Sequence, residues 1–312
     1  MAEIVITEFM DEAAISTVLA GRDVVYDPKL VDQPETLAQH LKDARALIVR
    51  NRTQVRGTLL ASAQKLEVVG RLGVGLDNID VEACKARGIA VYPATGANDV
   101  SVAEYVITAM LVLLRGAWFA NAEVIAGKWP RMSTIGREVY GKTLGLVGLG
   151  GIARETATRA RALGMDVLAY DPHLPTNHAA WSLASAVDFD ALLARSDVIS
   201  LHVPLTASTR KMIGASQISA MKRGSIIVNA ARGGVVDEEA VVAALRSGQL
   251  GGAALDVFDT EPLDATSGSR FAEVPNLLLT PHIAGVTEES NVRVSEVTAK
   301  AVLNHLTRSS GR

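Results

Sequence analysis

The sequence predicts an α/β protein built from two doubly wound parallel-sheet domains with a cleft between them. Three observations carry that expectation. The 312 residues exceed one average domain. Short apolar runs alternate with amphipathic stretches along nearly the whole chain, the rhythm of strands joined by helical crossovers. That alternation also occurs twice, once before and once after a long helical stretch, with a Pro- and Gly-containing turn, "YPATGAND", between the two series.

In the first series the strand candidates are "EIVIT" (3–7), "DVVY" (23–26), "ALIVR" (46–50), "LEVVGR" (66–71) and "IAVY" (89–92). Helical patterns fall between them, near 11–20, 35–43, 54–63 and 80–87. A long helix is expected over roughly 101–127, with Asn98, Asp99 or Ser101 available to cap it. The second series contains "KTLGLVGLG" (142–150), "MDVLAYD" (165–171), "DVISLHV" (197–203), "SIIVNAA" (225–231), "GAALDVF" (252–258) and "LLLTP" (277–281), then a closing helix from about residue 287.

Composition narrows the function classes. At 48% hydrophobic residues the chain can bury substantial cores, and a net charge of −3 provides no global attraction to nucleic acid or an anionic membrane. A lone cysteine, Cys84, forbids an internal disulfide and suits a reducing, cytoplasmic setting. The apolar run at 106–114 is too short and too closely flanked by Glu104 and Arg115 to span a bilayer. No metal-ligand spacing is present.

The first chemical motif is "LGLVGLGGIAR" (144–154), which contains Gly148-x-Gly150-x-x-Ala153 between an apolar strand and a helical run. In that context Gly148 allows a tight turn, Gly150 lets backbone approach a pyrophosphate, and Ala153 keeps the helix close to the sheet. The next strand ends in Asp171, 18 residues after Ala153. A carboxylate there accepts from ribose hydroxyls and repels a 2′-phosphate, so NAD is favoured over NADP.

Three further residues follow successive strands: Arg232 in "VNAARGGVVDEEA", Glu261 in "ALDVFDTEP" and His282 in "LTPHIAG". Singly, each has an ordinary reading as a surface charge, a turn residue or a packed loop imidazole. Together they place an anion-binding guanidinium, a carboxylate and an imidazole on the loops beyond strand ends, where open parallel sheets bind ligands.

These motifs, with "RLGVGLDNID" (71–80), "ANDVSVAEYVI" (97–107) and "LHVPLTASTR" (201–210), run in order over nearly the whole chain and resemble the D-isomer-specific 2-hydroxyacid dehydrogenases, above all their phosphoglycerate dehydrogenase branch. The resemblance implies a flavodoxin-like, discontinuous substrate-binding domain (1–97 and 287–312) and a Rossmann-type NAD-binding domain (98–286). It also implies a homodimer with the helix after Asn98 at its interface, and no C-terminal regulatory domain.

By the same resemblance Arg232 binds the substrate carboxylate or carbonyl, His282 exchanges the proton of the reacting oxygen, and Glu261 orients His282. Val74, Gly75 and Asn98 belong with the substrate. Gly148, Gly150, Gly151, Ile152, Asp171, Pro204, Thr209, Ala230, Asp256 and Gly285 belong with NAD. Two departures stand out. Gly151 replaces a longer polar residue, which removes one pyrophosphate contact. Pro281 stands where formate dehydrogenases carry glutamine, which argues against formate.

The loop "IVRNRTQV" (48–55) is unusually cationic for an acidic chain. With Arg50, Asn51 and Arg52 facing the substrate, the expected 2-hydroxy or 2-keto acid carries a second anion at C3, as 3-phosphoglycerate and 3-sulfolactate do. The alternatives are a glyoxylate or hydroxypyruvate reductase and, in another class, an NADH-sensing corepressor-like interaction protein. Relatives of that last kind carry additional terminal segments.

Overall fold

The computed structural model describes residues 2–309; Met1 and residues 310–312, which the sequence assigns to the first domain, lie outside the described residues. Packing divides the chain into two compact units, one formed by the residues up to Asn98 and from Val286 onward, the other by Asp99–Gly285.

In the first unit, strands β1 (Ile4–Ile6), β2 (Val24–Tyr26), β3 (Ala46–Val49), β4 (Val68–Arg71) and β5 (Ala90–Pro93) form a wholly parallel sheet in the order β2-β1-β3-β4-β5. Helices α1 (Glu12–Val18), α2 (Pro34–Leu41), α3 (Gly57–Ser62) and α4 (Val81–Ala86) supply the crossovers. The central strand β3, "ALIV", is buried along its length. Covering Leu47 on one face and Ile48 on the other contributes about 1.5–3 kcal/mol apiece. The order reverses between β1 and β3, so the carboxyl ends of these two strands form the switch point of this sheet, where open α/β sheets bind ligands.

In the second unit, β6 (Thr143–Val147), β7 (Asp166–Tyr170), β8 (Ser185–Ala186), β9 (Val198–Leu201), β10 (Ser225–Asn229), β11 (Leu250–Leu255) and β12 (Leu277–Leu279) pair in parallel as β12-β11-β10-β9-β6-β7-β8. The reversal here lies between β6 and β9, and the glycine loop leaves β6 at that point. One face carries α5 (Asp99–Arg115) and α7 (Gly151–Ala162); the other carries α8 (Phe189–Arg195), α9 (Ala215–Ala220) and α10 (Glu238–Ser247). The short helices α6 (Asn121–Ile125) and α11 (Ala265–Gly268) lie in connections, and α12 (Glu288–Ser309) returns to the first unit.

Two details correct the sequence expectation. The long helix runs over Asp99–Arg115 rather than to residue 127, because Gly116 takes a left-handed φ of 63° and ends it. A one-turn 3₁₀ segment and α6 then cover 117–125. The two-residue edge strand β8 has too few residues to leave a periodic signal.

Candidate active site

The glycine loop is built as its sequence demands. Gly148 has φ 91°, and a Cβ there would lie 2.6 Å from the carbonyl oxygen of His202, so only glycine fits. Gly150 forms the N-cap of α7, and a Cβ on it would meet nothing within 4 Å, which leaves open space at a helix N-terminus. Ile152 lies in the first turn of α7 and Ala153 is fully buried beneath it. Asp171, immediately after β7, ties the loop in place: its Oδ2 accepts the Leu149 N–H at 2.9 Å and its Oδ1 accepts the His173 N–H at 3.0 Å. This combination of open amides and a strand-end carboxylate fits a dinucleotide.

Gly151 has a spatial cause that its sequence context did not reveal. A Cβ there would stand 2.1 Å from Oδ2 of Asp99, whose carboxylate already fills that side of the loop. Burial, and then repulsion from Glu155, raise the pKa of Asp99.

The loops after β9 and β10 are tied to themselves. Thr209 Oγ1 donates to the Pro204 carbonyl at 2.6 Å and accepts the Thr206 N–H at 2.7 Å. His202 bonds Ser200 Oγ through Nε2 at 2.9 Å, and burial lowers its pKa to about 4, so the ring is neutral. Ala230 directly follows β10.

Arg232 follows three residues after β10. Asn229 shapes its turn, donating through Nδ2 to the Arg232 carbonyl at 3.0 Å and accepting the Ala231 N–H at 3.1 Å. A Cβ on the next residue, Gly233, would stand 1.7 Å from the Phe258 carbonyl, so this turn packs backbone to backbone against the segment that leads to Glu261. Arg232 also donates through Nη1 to the Ala231 carbonyl at 2.6 Å.

Glu261 divides its two oxygens. Oε1 accepts the Phe258 N–H at 2.9 Å, and Oε2 meets His282 Nδ1 at 2.7 Å. Burial raises the pKa of this carboxyl, but the His282 bond, the Phe258 bond and the charges of His282 and Arg232 outweigh it, and the net shift is downward. Glu261 is therefore an anion. With Nδ1 held, Nε2 of His282 is the ring nitrogen left to exchange a proton with a ligand.

His282 itself adopts φ 57°, an uncommon conformation for a residue with a side chain. The structure over-determines it. Its N–H donates to the carbonyls of Asp256 at 2.8 Å and Thr280 at 3.0 Å. The buried Asp256 carboxylate accepts from Thr280 Oγ1 at 2.6 Å and from the Ile283 and Ala284 N–H groups at 2.8 Å each. Tyr105, on α5, reaches Thr280 Oγ1 at 2.6 Å. Gly285 ends this loop and the unit.

The remaining residues singled out in the sequence belong to the first unit. Arg50 follows β3, stacks over the Phe9 ring at 5.7 Å and donates to Asn291 Oδ1 at 2.5 Å and to the Phe9 carbonyl at 3.3 Å. Arg52 is exposed and pairs with Asp32. The N–H groups of Arg50, Asn51, Arg52 and Thr53 all converge on the buried carboxylate of Glu8. Val74 and Gly75 lie in the bend after β4, where Val74 is exposed. Asn98 Oδ1 is buried with no hydrogen-bond partner among the described residues, so it does not cap α5 and is an acceptor still open.

Residues 107–284 match the family described as D-isomer specific 2-hydroxyacid dehydrogenase, NAD binding domain. Over 97% of both chains, the sequence is 52% identical to an (S)-sulfolactate dehydrogenase of Chromohalobacter salexigens. The chain belongs to the D-isomer-specific 2-hydroxyacid dehydrogenases. It is also 43% identical to a D-3-phosphoglycerate dehydrogenase of Archaeoglobus fulgidus over 86% of this chain, spanning about half (51%) of that longer relative. A D-lactate dehydrogenase of Aquifex aeolicus, solved with NAD and lactic acid, superposes with a TM-score of 0.84 at 29% identity over 99% of this chain and 96% of that one.

This dehydrogenase is thus an NAD-dependent oxidoreductase interconverting 2-hydroxy and 2-keto acids. Three side chains that shape the dehydrogenase's loops escape the sequence reading, Glu8, Tyr105 and Thr280, and a fourth, Asp99, reads there only as a helix cap. Only the hydroxyl and carboxylate character of these residues was visible in the sequence, because each acts on a segment distant in the chain.

Proposed function

We propose that the substrate of this dehydrogenase is a 2-hydroxy acid with a second anion at C3, of the 3-sulfolactate or 3-phosphoglycerate type. Two arguments support the reading. The 50–53 turn, with Arg50 and Arg52, stands at the switch point of the first sheet, and the similarity to the sulfolactate dehydrogenase spans both chains almost completely. In this reading the first unit binds the substrate and the second binds NAD.

Bound NAD supplies or accepts the hydride at its nicotinamide ring. In keto-acid reduction Arg232 orients the carboxylate with its planar guanidinium, assisted by the N–H groups of Val74 and Gly75 and by Asn98. His282 donates the proton of Nε2 to the carbonyl oxygen and in the oxidative direction removes it from the hydroxyl. Glu261 fixes the orientation of the imidazole through Nδ1. For the cofactor, the amides of Gly150, Gly151 and Ile152 would hold the pyrophosphate and Asp171 would accept from the ribose hydroxyls. Pro204, Thr209 and Ala230 would line the adenosine and nicotinamide sides, and Asp256 and Gly285 the carboxamide side.

The working form is a homodimer in the cytoplasm. Trp118, Ile125, Trp129, Met132, Ile135 and Tyr140 are all strongly exposed after α5, an apolar surface of the kind a second copy covers. Among the described residues no helix is long and apolar enough to cross a membrane.

The deciding experiment is a panel of acids, oxidised with NAD or reduced with NADH: 3-sulfolactate, 3-phosphoglycerate, lactate, glyoxylate and hydroxypyruvate. The reading requires the highest kcat/KM on a C3 dianion. Preference for glyoxylate or hydroxypyruvate would assign a reductase of simpler acids instead. Tight NADH binding without turnover of any acid would point to a sensing role.

A further inference from the structure

We propose that Glu8 is a positioning residue that sets selectivity for the second anion by holding the 50–53 turn from within. The inference rests on the reading that this turn recognises that anion. Glu8 follows β1 by two residues and the turn follows β3, so both stand at the carboxyl ends of the strands that flank the switch point.

Glu8 is 5% exposed, and its carboxylate accepts from four consecutive amides of one short segment. Oε1 accepts the N–H of Arg50 at 2.9 Å and of Thr53 at 3.0 Å; Oε2 accepts the N–H of Arg52 at 3.1 Å and of Asn51 at 3.3 Å. Consecutive amides converging on one point form an anion-binding concavity. Here the chain's own carboxylate fills it, so the amides are not available to a ligand and the distal anion must be read by side chains.

The rest of the turn is fixed as firmly. Thr53 Oγ1 meets Thr7 Oγ1 at 2.8 Å, and Asn78 Nδ2 donates to the carbonyls of Thr53 at 2.7 Å and Arg50 at 3.3 Å. Burial raises the pKa of Glu8, but the amide bonds of Thr53, Arg52 and Arg50 outweigh it and hold the carboxyl ionised below its usual range.

Charge and position make opposite demands on one substitution. Glu8→Gln removes a negative charge near Arg50 and Arg52, which by charge alone would tighten a dianion. It also replaces one acceptor oxygen with an NH₂ group facing two N–H donors, which opens the turn. The positioning role predicts that the second effect wins.

The test uses the full-length enzyme with NAD and whichever of 3-sulfolactate and 3-phosphoglycerate it oxidises. Glu8→Gln should raise KM at least tenfold, with kcat and the Kd for NADH within twofold of wild type. An unchanged or lowered KM, or a fall in kcat with KM constant, overturns the proposal. Should that variant not fold, Glu8→Asp keeps the charge but withdraws it by one methylene; it should raise KM threefold or more, and no change overturns the proposal. Arg50→Ala and Arg52→Ala separate the two readings. If they raise KM while Glu8→Gln does not, only the role of Glu8 falls. If neither raises KM, or neither dianion is oxidised, the recognition role of the turn fails and that of Glu8 with it.

Discussion

His282 Nδ1 and Glu261 Oε2 stand 2.7 Å apart, although the two residues come from loops after different strands. The contact holds Nδ1 and leaves Nε2 as the nitrogen that the proposed mechanism uses for proton transfer. His282→Ala is therefore expected to lower kcat by about 10²–10⁴-fold in keto-acid reduction. The Kd for NADH, read by fluorescence titration, should stay within about twofold. A variant that keeps more than a tenth of wild-type kcat would remove His282 from the proton transfer.

Thr280 joins Tyr105 to Asp256 and so holds the loop in which His282 takes its left-handed conformation. Thr280→Val deletes both bonds while preserving shape. Stability should fall by about 1–3 kcal/mol, and kcat by up to roughly 10²-fold as the imidazole loses its alignment. Urea unfolding and steady-state rates check this; a variant with wild-type kcat would show that the loop is held by other means.

Gly233 admits no side chain, because a Cβ would lie 1.7 Å from the Phe258 carbonyl. Backbone cannot yield as a side-chain tip can. Gly233→Ala should destabilise by about 3 kcal/mol and should separate Arg232 from Glu261. An unchanged thermal midpoint would mean the two loops are not held against one another.

His202 makes acid stability measurable. Its pKa is about 4 in the folded chain against an ordinary 6.5, so below 6.5 the unfolded chain binds the proton more readily. The contribution is complete above pH 6.5 and is lost as pH falls toward 4, by up to about 3 kcal/mol at 1.36 kcal/mol per pH unit. His202→Asn should flatten the unfolding free energy across that window. An equally steep decline in the variant would assign the acid sensitivity to other groups.

How much was legible in the sequence follows from which contacts are local. The parallel sheets could be read because "LGLVG" and "ALIV" are runs buried on both faces, and the glycine loop because strand, turn and helix adjoin in the chain. The end of α5 is hidden in the sequence because apolar residues continue past Gly116 and mask the break. Glu8 was invisible for another reason. Its partners lie 42–45 residues away, and a glutamate after a strand carries no sign that it will be buried under four amides. Asp99 likewise reads as a capping residue until its carboxylate is seen against Gly151.

The return of α12 to the first sheet has a consequence in time. A Cβ on Gly70, in β4, would stand 2.7 Å from side-chain atoms of both Thr298 and Val302, so the last helix lies hard against that strand. On the ribosome, the whole second unit is made between β5 and α12, so one face of the β1–β5 sheet has α1 but not α12 for cover until residues 288–309 have been translated. The second unit is contiguous and needs no such wait. Its core can close before α12 is made, while Ile4, Ile48 and Val68 in the older sheet wait for that helix to complete their cluster.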